Sequence, residues 1–261
     1  MMSIKSLLVA VLALAGTGEA KVTYYNSGVI KGWASMDKTH KGTVEEVKDI
    51  SYKAKTSLKM TQTYDPKYHK EYRSLVVCPS SYQRGDAFWY GFMVRLADDW
   101  QFVDQPINIL EFFSRRGVNG EQVNCGDFDM TGTTLWIQND QLHGRHVGGK
   151  YMGKDCKQNI IDLPNMAKIE PGKFHKIIFH VKWEDNGWGF SQWFVDGRKV
   201  VDKKDIATTV GGKWKFQFRV GASMPAWHDE GEMQGNQTVR EIWFDEIAVG
   251  TEYKDVDPDQ N

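Results

Sequence analysis

The sequence lacks an excess of either charge, a long apolar segment and abundant cysteine, and each absence narrows what the protein can be. The 261 residues carry 33 Lys and Arg against 34 Asp and Glu, a formal net charge of −1. Proteins that wrap nucleic acid usually present a broad basic surface, so this balance argues against a nucleic-acid partner. No segment reaches the roughly 20 apolar residues of a membrane span, which argues against a membrane-embedded chain.

The first 20 residues have the pattern of a secretory signal peptide. Lys5 gives a short positive region, an apolar run covers Leu7 to Ala15, and the segment ends at the small residue Ala20. This run is too short to span a membrane and fits the apolar region of a cleaved signal. We therefore expect a secreted, extracellular protein whose mature chain starts at Lys21.

Secretion changes how the three cysteines are interpreted. Cys125 and Cys156 lie in polar, glycine-containing segments, whereas Cys78 follows an apolar run. In an oxidising compartment an odd number of cysteines predicts one disulfide and one remaining thiol. We expect Cys125 and Cys156 to form the disulfide and Cys78 to be buried, while the other two pairings stay open. The chain has no CxxC motif, which argues against a structural zinc site.

Hydrophobic periodicity indicates strands almost everywhere. From Trp214 to Ser223, Phe216, Phe218 and Val220 alternate with polar residues, so Gln217 and Arg219 are predicted on the opposite face. Asp196-Gly197 is a strong hairpin signal and Asn139-Asp140 a weaker one. Further segments with the same period of two are Phe88–Leu96, Thr133–Leu142, Phe174–Trp183, Gly189–Val195 and Val239–Val249.

Helical patterns are nearly missing. The best candidates are two short segments, Asn165–Lys168 and Lys203–Ala207. Many strands with turns between them are typical of an all-β sandwich or jelly roll with two antiparallel sheets, as in concanavalin-like proteins. Nothing resembling a linker or a repeat divides the chain, so we predict a single domain over residues 21–261.

Two charged residues interrupt otherwise apolar strands. Glu111 lies within the run INILEFFS and Arg73 precedes LVV. A charge at such a position is costly unless it is paired or used. One interpretation is a structural Arg73–Glu111 ion pair, and the other is a charged groove that binds a sugar acid. Gln217 and Arg219 would extend that groove, although the polar face of a sheet is often only solvated.

Several other polar clusters are weaker candidates. His143, Arg145 and His146 lie in one short segment, and either histidine could act as a base or bind a carboxylate. The aromatic residue Trp227 is next to His228 in the sequence, an arrangement suited to stacking on a sugar ring or to binding a metal ion.

Three further positions carry predictions of their own. Asp245 is a candidate ligand for a structural calcium ion, and Asn236 begins a glycosylation sequon. The motifs GxSxG, Walker A and HExxH do not occur in the sequence, which argues against α/β-hydrolase, P-loop and zincin chemistry.

The C-terminal third resembles the glucuronan lyase family of polysaccharide lyases, notably from Arg219 through WHDEGEMQGNQTVREIWFDEIAVGTEYKDVDPDQ. The segments SLKMTQTYD (Ser57–Asp65), YGFMVRLADDWQF (Tyr90–Phe102) and QLHGR (Gln141–Arg145) are similar to the same family. The resemblance implies a β-jelly roll that binds a polyuronate on one sheet and needs no cofactor. It also implies a disulfide in the region of Cys125 and Cys156.

The implied chemistry is β-elimination, in which a base removes the C5 proton of a uronic acid. The chain departs from the family pattern at three expected positions, with Glu111 in place of Gln, Arg73 in place of His and Ser223 in place of Tyr. A protonated Glu111 could still donate a hydrogen bond, and Arg73 could pair with the uronate carboxylate. Because Ser223 is a poor base, proton transfer would have to come from His143, His146, Tyr151 or His228.

Three functions follow from this sequence. The first is a polyuronate lyase whose trough gathers Arg73, Glu111 and Arg219, with His143 and His146 also catalytic. The trough would bind sugar through Arg145, Gln217, Ser223, Trp227 and His228. The second is a glycoside hydrolase using Glu111 with a second carboxylate, and the third is a lectin-like module that binds without cleaving. The expected partner is an acidic or neutral polysaccharide, and a monomer is the default.

Overall fold

A computed structural model of the chain describes residues 21–114, 130–149, 158–212 and 215–260. These residues form β-strands, one short α-helix and one 3-10 helix at Tyr253–Asp255. In chain order the elements are β1 (Val22–Asn26), β2 (Ser35–Lys38), β3 (Thr43–Val47), β4 (Ser57–Thr63), β5 (Arg73–Tyr82), β6 (Ala87–Leu96), β7 (Ile107–Ser114), β8 (Met130–Gln138), β9 (Gln141–Gly148), β10 (Asn159–Lys168), β11 (Phe174–Lys182), β12 (Gly189–Val195), β13 (Arg198–Ile206), β14 (Phe216–Ser223), α1 (Pro225–Asp229) and β15 (Val239–Gly250).

The strands form two antiparallel sheets. One sheet, here called the trough sheet, has the order β10-β9-β8-β7-β14-β5-β2. The other, here called the back sheet, has the order β13-β12-β11-β6-β15-β4-β3, and β1 also pairs with β15. Neighbours in each sheet are often distant in sequence, as expected when a chain alternates between the layers of a sandwich. The predicted all-β jelly roll is confirmed.

The core lies between the two sheets and is rich in aromatic rings. Phe112 and Phe218 of the trough sheet lie 5.4 Å apart between ring centres. Tyr90 and Phe179 of the back sheet stack at 4.8 Å. Phe112 also packs edge-on against Trp183 at 4.7 Å. Since truncating a buried aromatic side chain typically costs about 3–5 kcal/mol, these rings fix the relative positions of the two sheets.

Both hairpin signals are confirmed. Asp196 and Gly197 have φ values of 51° and 79°, and they connect β12 to β13. Asn139, with φ 53°, lies in the turn between β8 and β9. Positive φ at these positions is what tight hairpins require, and Asp, Asn and Gly adopt it at the lowest cost.

The two helical candidates are wrong. Asn165–Lys168 belongs to β10, and most of Lys203–Ala207 belongs to β13. Each segment contains a residue with positive φ, Asn165 at 50° and Asp205 at 56°, close to a shift in strand register. Such irregularities are typical of β-bulges, which break the alternation that identifies a strand.

The helix α1 was not predicted, because its five residues are too few to display a 3.6-residue period. Its proline lies in the first turn, where a missing N–H costs nothing. Cys78 is buried, as expected for the cysteine that follows an apolar run. Among the described residues, no helix combines the length and apolarity needed to cross a membrane.

Candidate functional site on the outer face of the trough sheet

Strand β14 decides which side chains face away from the core. Phe216, Phe218 and Val220 belong to the buried core cluster. Because successive side chains alternate across a strand, Gln217 and Arg219 face the opposite side of the trough sheet. This outer surface is called the trough face below, and the predicted placement of Gln217 and Arg219 on one face is confirmed.

Strand pairing arranges polar residues in a row across the trough face. Arg219 of β14 is opposite Glu111 of β7, and Glu111 is opposite Thr134 of β8. Thr134 is opposite Arg145 of β9, which in turn is opposite Asp162 of β10. With strands about 4.8 Å apart, this first row runs about 19 Å from β14 to β10. A row of this kind suits an extended polymer.

A second row runs parallel to the first. Ser223 of β14 is opposite Arg73 of β5 on one side and Asn108 of β7 on the other. The row continues through Trp136 of β8 to His143 of β9. The two rows together bring Arg73, Glu111 and Arg219 to one face of the sheet, as the sequence predicts.

The two arginines meet around an acid and an aromatic ring. The Oδ2 atom of Asp37 lies 3.6 Å from Nη1 of Arg73 and also 3.6 Å from Nη1 of Arg219. The guanidinium of Arg219 covers the Phe113 ring at 3.8 Å, and that of Arg73 lies 5.6 Å from the same ring. Arg73 also pairs with Glu71 at 2.9 Å. The proposed Arg73–Glu111 ion pair is therefore not formed, because Arg73 pairs with Asp37 and Glu71 instead.

Glu111 is held within this face by its neighbour Asn108. The Asn108 amide donates to Glu111 Oε1 at 3.1 Å. Glu111 is 4% exposed and Arg219 is 1% exposed, so these two residues form the floor of the trough. The expectation of a fully open trough thus holds only at its edges, where Arg73 is half-buried and Arg145 is exposed.

His143 forms an aromatic platform with Trp136. The rings stack with centres 5.5 Å apart and an angle of 13°, and Arg145 lies 5.6 Å from the Trp136 ring. The Nδ1 of His143 accepts the Asn165 N–H at 3.3 Å. Burial lowers the pKa of His143, and a backbone hydrogen bond with Gln138 opposes that shift. These bonds tie the imidazole to the backbone and favour stacking over proton transfer.

His146 does not reach the trough face. Its ring is fully buried between the sheets, bonded to Thr133 Oγ1 and Ser191 Oγ at 2.8 Å each. Burial lowers its pKa to about 4, so the ring is neutral at neutral pH. His143 and His146 are three residues apart on one strand, so they lie on opposite faces and cannot share a site. The predicted catalytic role of His146 is therefore at odds with its position.

Trp227 and His228 of α1 have different surroundings. Trp227 is 3% exposed and packs against Tyr64 and Tyr72 at 5.4 and 5.2 Å, so it supports the fold and offers no surface for a sugar. The His228 side chain is 44% exposed, and its Nδ1 lies 2.7 Å from Asp229 Oδ1. Helix α1 begins two residues after Ser223, so His228 follows the strand that carries Ser223.

Asp245 is a buried residue that binds backbone amides. Its carboxylate accepts N–H groups from Tyr52 at 2.8 Å and Glu246 at 2.9 Å. Burial is the main cause that raises its pKa to about 6. Within the described ranges, no cluster of three His, Cys, Asp or Glu side chains could hold a metal ion. This arrangement does not fit a calcium cage of side chains, and the structural calcium stays a prediction without a supporting contact.

The remaining predictions concern a glycosylation site and residues outside the described ranges. Asn236 is exposed in the loop before β15, a position accessible to a glycosyltransferase, and its glycosylation stays a prediction. The signal segment, residues 1–20, lies outside the described residues, as do Cys125, Cys156 and Tyr151.

Sequence reasoning missed three residues of the trough face. Asp37 lies on β2, a four-residue polar strand with no hydrophobic alternation. Asn108 and Trp136 lie on predicted strands, and alternation relative to Glu111 and Leu135 could have placed Trp136 on the outer face. The β-bulges between Asn108 and Leu110 and between Glu111 and Phe113 shift the register of β7, which alternation alone does not reveal.

Comparison with known proteins identifies relatives of the whole fold. A family model described as polysaccharide lyase matches residues 25–248. The structure of an endo-β-1,4-glucuronan lyase from the fungus Trichoderma reesei is 43% identical, with a TM-score of 0.87. This match covers 92% of this chain and 100% of that chain. A search of curated protein sequences finds no match.

Two alginate lyases share the fold alone. One, from a Chlorella virus, is 13% identical with a TM-score of 0.56, covering 85% of this chain and 93% of its own. The other, from Aplysia kurodai, is 9% identical with a TM-score of 0.57, covering 89% of this chain and 100% of its own. The family match extends over both sheets and includes both rows of the trough face. The chain belongs to the polysaccharide lyase family.

Proposed function

We propose that this polysaccharide lyase cleaves a polyuronate of the glucuronan type by β-elimination. The supporting observation is the trough face, where Arg73, Arg219 and Glu111 lie on adjacent strands of one sheet. Identity of 43% to a glucuronan lyase over 92% of this chain favours the same substrate class.

The reaction requires a site that offsets the charge of the uronate carboxylate. Removing the C5 proton leaves electron density that spreads onto this carboxylate, so positive charge or hydrogen bonds there stabilise the transition state. Arg73 presents a half-buried guanidinium at the edge of the trough, and arginine can bind a carboxylate through two parallel hydrogen bonds. Arg219 supplies a second positive charge in the floor.

Glu111 occupies a position where the family resemblance implies Gln. In its protonated form it can donate a hydrogen bond to the uronate carboxylate, as the Gln amide would. The Asn108 amide already donates to Glu111 Oε1 and so orients the carboxyl group. The proposed role of this pair is to hold one sugar carboxylate beside the arginines.

His228 is the proposed proton-transfer group. Of the candidate histidines in the described residues, His146 is buried between the sheets and His143 is bonded to backbone. His228 has an exposed ring paired with Asp229, and it follows the strand that carries Ser223. The base would take the C5 proton, the C4–O bond would break, and a C4–C5 double bond would form while a proton returns to the leaving oxygen.

One assay tests the proposal against its two alternatives. The mature protein is incubated with glucuronan, alginate and β-glucan while the ultraviolet absorbance of the unsaturated product and new reducing ends are followed. We expect both signals to rise with glucuronan. New ends without absorbance would instead identify a hydrolase, and binding without either signal would identify a lectin-like protein.

The hydrolase alternative has a specific structural difficulty. It needs a second carboxyl group about 5–5.5 Å or about 6.5–9.5 Å from Glu111, depending on stereochemistry. Asp37 is on the same sheet, but its carboxylate lies between two guanidinium groups, which favours a positioning role. This contact pattern favours the lyase.

The proposed setting is extracellular, with the protein acting as a monomer. The support is the signal-like pattern of residues 1–20 and the exposed sequon at Asn236. Expression of the full chain in a secreting host tests this: the protein is expected in the medium, starting at Lys21 and losing mass on deglycosylation. Retention in the cell with Met1 intact would contradict it.

A further inference from the structure

A cleft lies at the edge of the sandwich, beyond the end of the trough face. Its volume is about 490 Å³. Residues of β10 form one wall, and the turn before β12 together with the end of β13 forms the other. The lining residues include Asn159 and Ile160 on the first wall and Asn186, Gly187 and Asp205 on the second.

The chemistry of the lining suits a pyranose ring. Amide side chains of Asn159 and Asn186 can exchange hydrogen bonds with sugar hydroxyls, while Ile160 offers an apolar patch for the C–H face of the ring. Specific ligand sites commonly combine an apolar lining with a few placed polar groups.

An exposed tryptophan stands next to the cleft. Trp188 directly follows the lining residue Gly187, and its side chain is 76% exposed. Its backbone N–H donates to Asn186 Oδ1 at 2.9 Å, which fixes the turn that carries the ring. Ile160, on the opposite wall, is 55% exposed. Large apolar groups exposed together often mark a binding surface, and a flat indole ring can stack on a sugar.

The cleft continues the trough face. The first row ends on β10 at Asp162, which pairs with Arg145. Ile160 is two residues away on the same strand, so it faces the same side as Asp162. The cleft therefore begins where the row ends, about 19 Å from Arg219.

We propose that this cleft, with Trp188 beside it, binds the part of a polyuronate chain that extends past β10. The inference rests on the proposed function, since the occupant is the same polymer that enters the trough. A long chain contacts both places at once, whereas a short oligosaccharide in the trough does not reach the cleft. The cleft thus sets a preference for long chains.

The test compares one variant on two substrates. Trp188→Ala is assayed on long glucuronan and on the shortest glucuronan oligosaccharide that the wild-type protein cleaves. We expect kcat/KM on the polymer to fall about fivefold, the size of one aromatic contact, with no change on the oligosaccharide. The matched control is Val239→Ala, which removes an exposed apolar side chain at the start of β15 and should alter neither rate.

The outcomes separate the two proposals. Equal rates for Trp188→Ala and wild type on the polymer, or equal losses on both substrates, would overturn the cleft. If neither substrate gives unsaturated product, the proposed lyase activity is rejected. Binding of the polymer in the cleft is then tested by electrophoresis in gels that contain glucuronan. The wild type should be retarded more than Trp188→Ala, and equal retardation would reject the cleft. A change of oligomeric state on substitution, measured by sedimentation, would identify a protein contact instead.

Discussion

The carboxylate of Asp37 bridges Arg73 and Arg219, with its Oδ2 atom 3.6 Å from an Nη1 atom of each. The Arg219 side chain is 1% exposed, so its charge has been largely removed from water. A buried charge is costly unless an opposite charge or hydrogen bonds offset the lost hydration. Asp37 therefore stabilises the two cations that the proposed lyase needs on one face.

Replacing Asp37 with Asn should destabilise the protein. The substitution keeps the shape of the side chain but removes the negative charge between two guanidinium groups. We expect the free energy of unfolding in urea to fall by about 2 kcal/mol, less than the roughly 3–5 kcal/mol for a fully buried ion pair, because the Asp37 and Arg73 side chains are partly exposed. The control is Asp162→Asn, which breaks the exposed Arg145–Asp162 pair and should cost less than about 1 kcal/mol. Equal losses would contradict a special role for Asp37.

Substitutions of Glu111 should show whether catalysis requires a hydrogen-bond donor or a negative charge at this position. Glu111→Gln keeps a donor at the position where the family resemblance implies Gln, so we expect at least wild-type kcat on glucuronan. Glu111→Ala removes the donor and should lower kcat by about 10²-fold, as for loss of one transition-state contact. Product absorbance measures both rates. If Gln were as damaging as Ala, a carboxylate would be required, and the hydrolase would become the better interpretation.

The two histidines on or beside the trough face should affect different kinetic constants. His228→Ala removes the proposed proton-transfer group and should lower kcat by about 10²-fold, with little change in KM. His143→Ala removes half of an aromatic platform and should mainly raise KM, by a few-fold. Initial rates over a range of glucuronan concentrations distinguish them. A lowered kcat for His143→Ala with an unaffected His228→Ala would reverse the assignment.

Alternation along the strands accounts for most of what could be predicted from the sequence. The segment Phe216–Ser223 has its aromatic residues in the core and Arg219 on the opposite face, as the period of two requires. The Asp-Gly hairpin after β12 was predictable because few residues adopt positive φ cheaply. These signals are local, and they survive in the folded structure because each sheet has one face in the core.

The same rule, applied more strictly, would have corrected one prediction. His143 and His146 are separated by an odd number of positions on β9, so only one of them can face the trough. Leu142, one residue before His143, is in the core, which assigns His143 to the outer face. The two histidines were predicted to act in one site because they are close in sequence, but their side chains lie on opposite faces of β9.

Other parts of the site depend on contacts between distant segments. Asp37 reaches the arginines only because β2 pairs with β5, and nothing in the sequence SMDK indicates that pairing. The sequence predicts Trp227 as an exposed ring that stacks on a sugar. In the structure it packs against Tyr64 and Tyr72, which lie more than 150 positions earlier in the chain. Long-range packing of this kind overrides local pattern.

Thiol titration should reveal the state of the cysteines. Burial raises the pKa of Cys78 to about 12, so this thiol should react slowly with a disulfide reagent in the native protein. After unfolding without reductant, we expect one reactive thiol per chain if Cys125 and Cys156 are bridged. Three reactive thiols would mean that no bridge exists. Peptide mapping by mass spectrometry should then assign the single free thiol to Cys78, and assignment to Cys125 or Cys156 would support another pairing.

Acid should destabilise the fold through His146. Burial lowers the pKa of this ring to about 4, whereas an unfolded histidine has a pKa of about 6.5. Between these values the unfolded chain binds a proton that the folded chain does not, so stability falls as the pH drops from 6.5 towards 4. Through this one histidine, the free energy of unfolding at pH 4.5 is about 2 kcal/mol lower than at pH 7.

Urea unfolding at pH 7 and pH 4.5 measures this effect, with His146→Gln as the test variant. Gln can keep hydrogen bonds to Thr133 and Ser191 but does not titrate. The variant should therefore lose about 2 kcal/mol less between the two pH values than the wild type does. His180, whose pKa burial also lowers to about 4, remains in both proteins and cancels from the comparison. If His146→Gln kept the wild-type pH dependence, the imidazole would have to be accessible to protons in the folded state, which its position between the two sheets opposes.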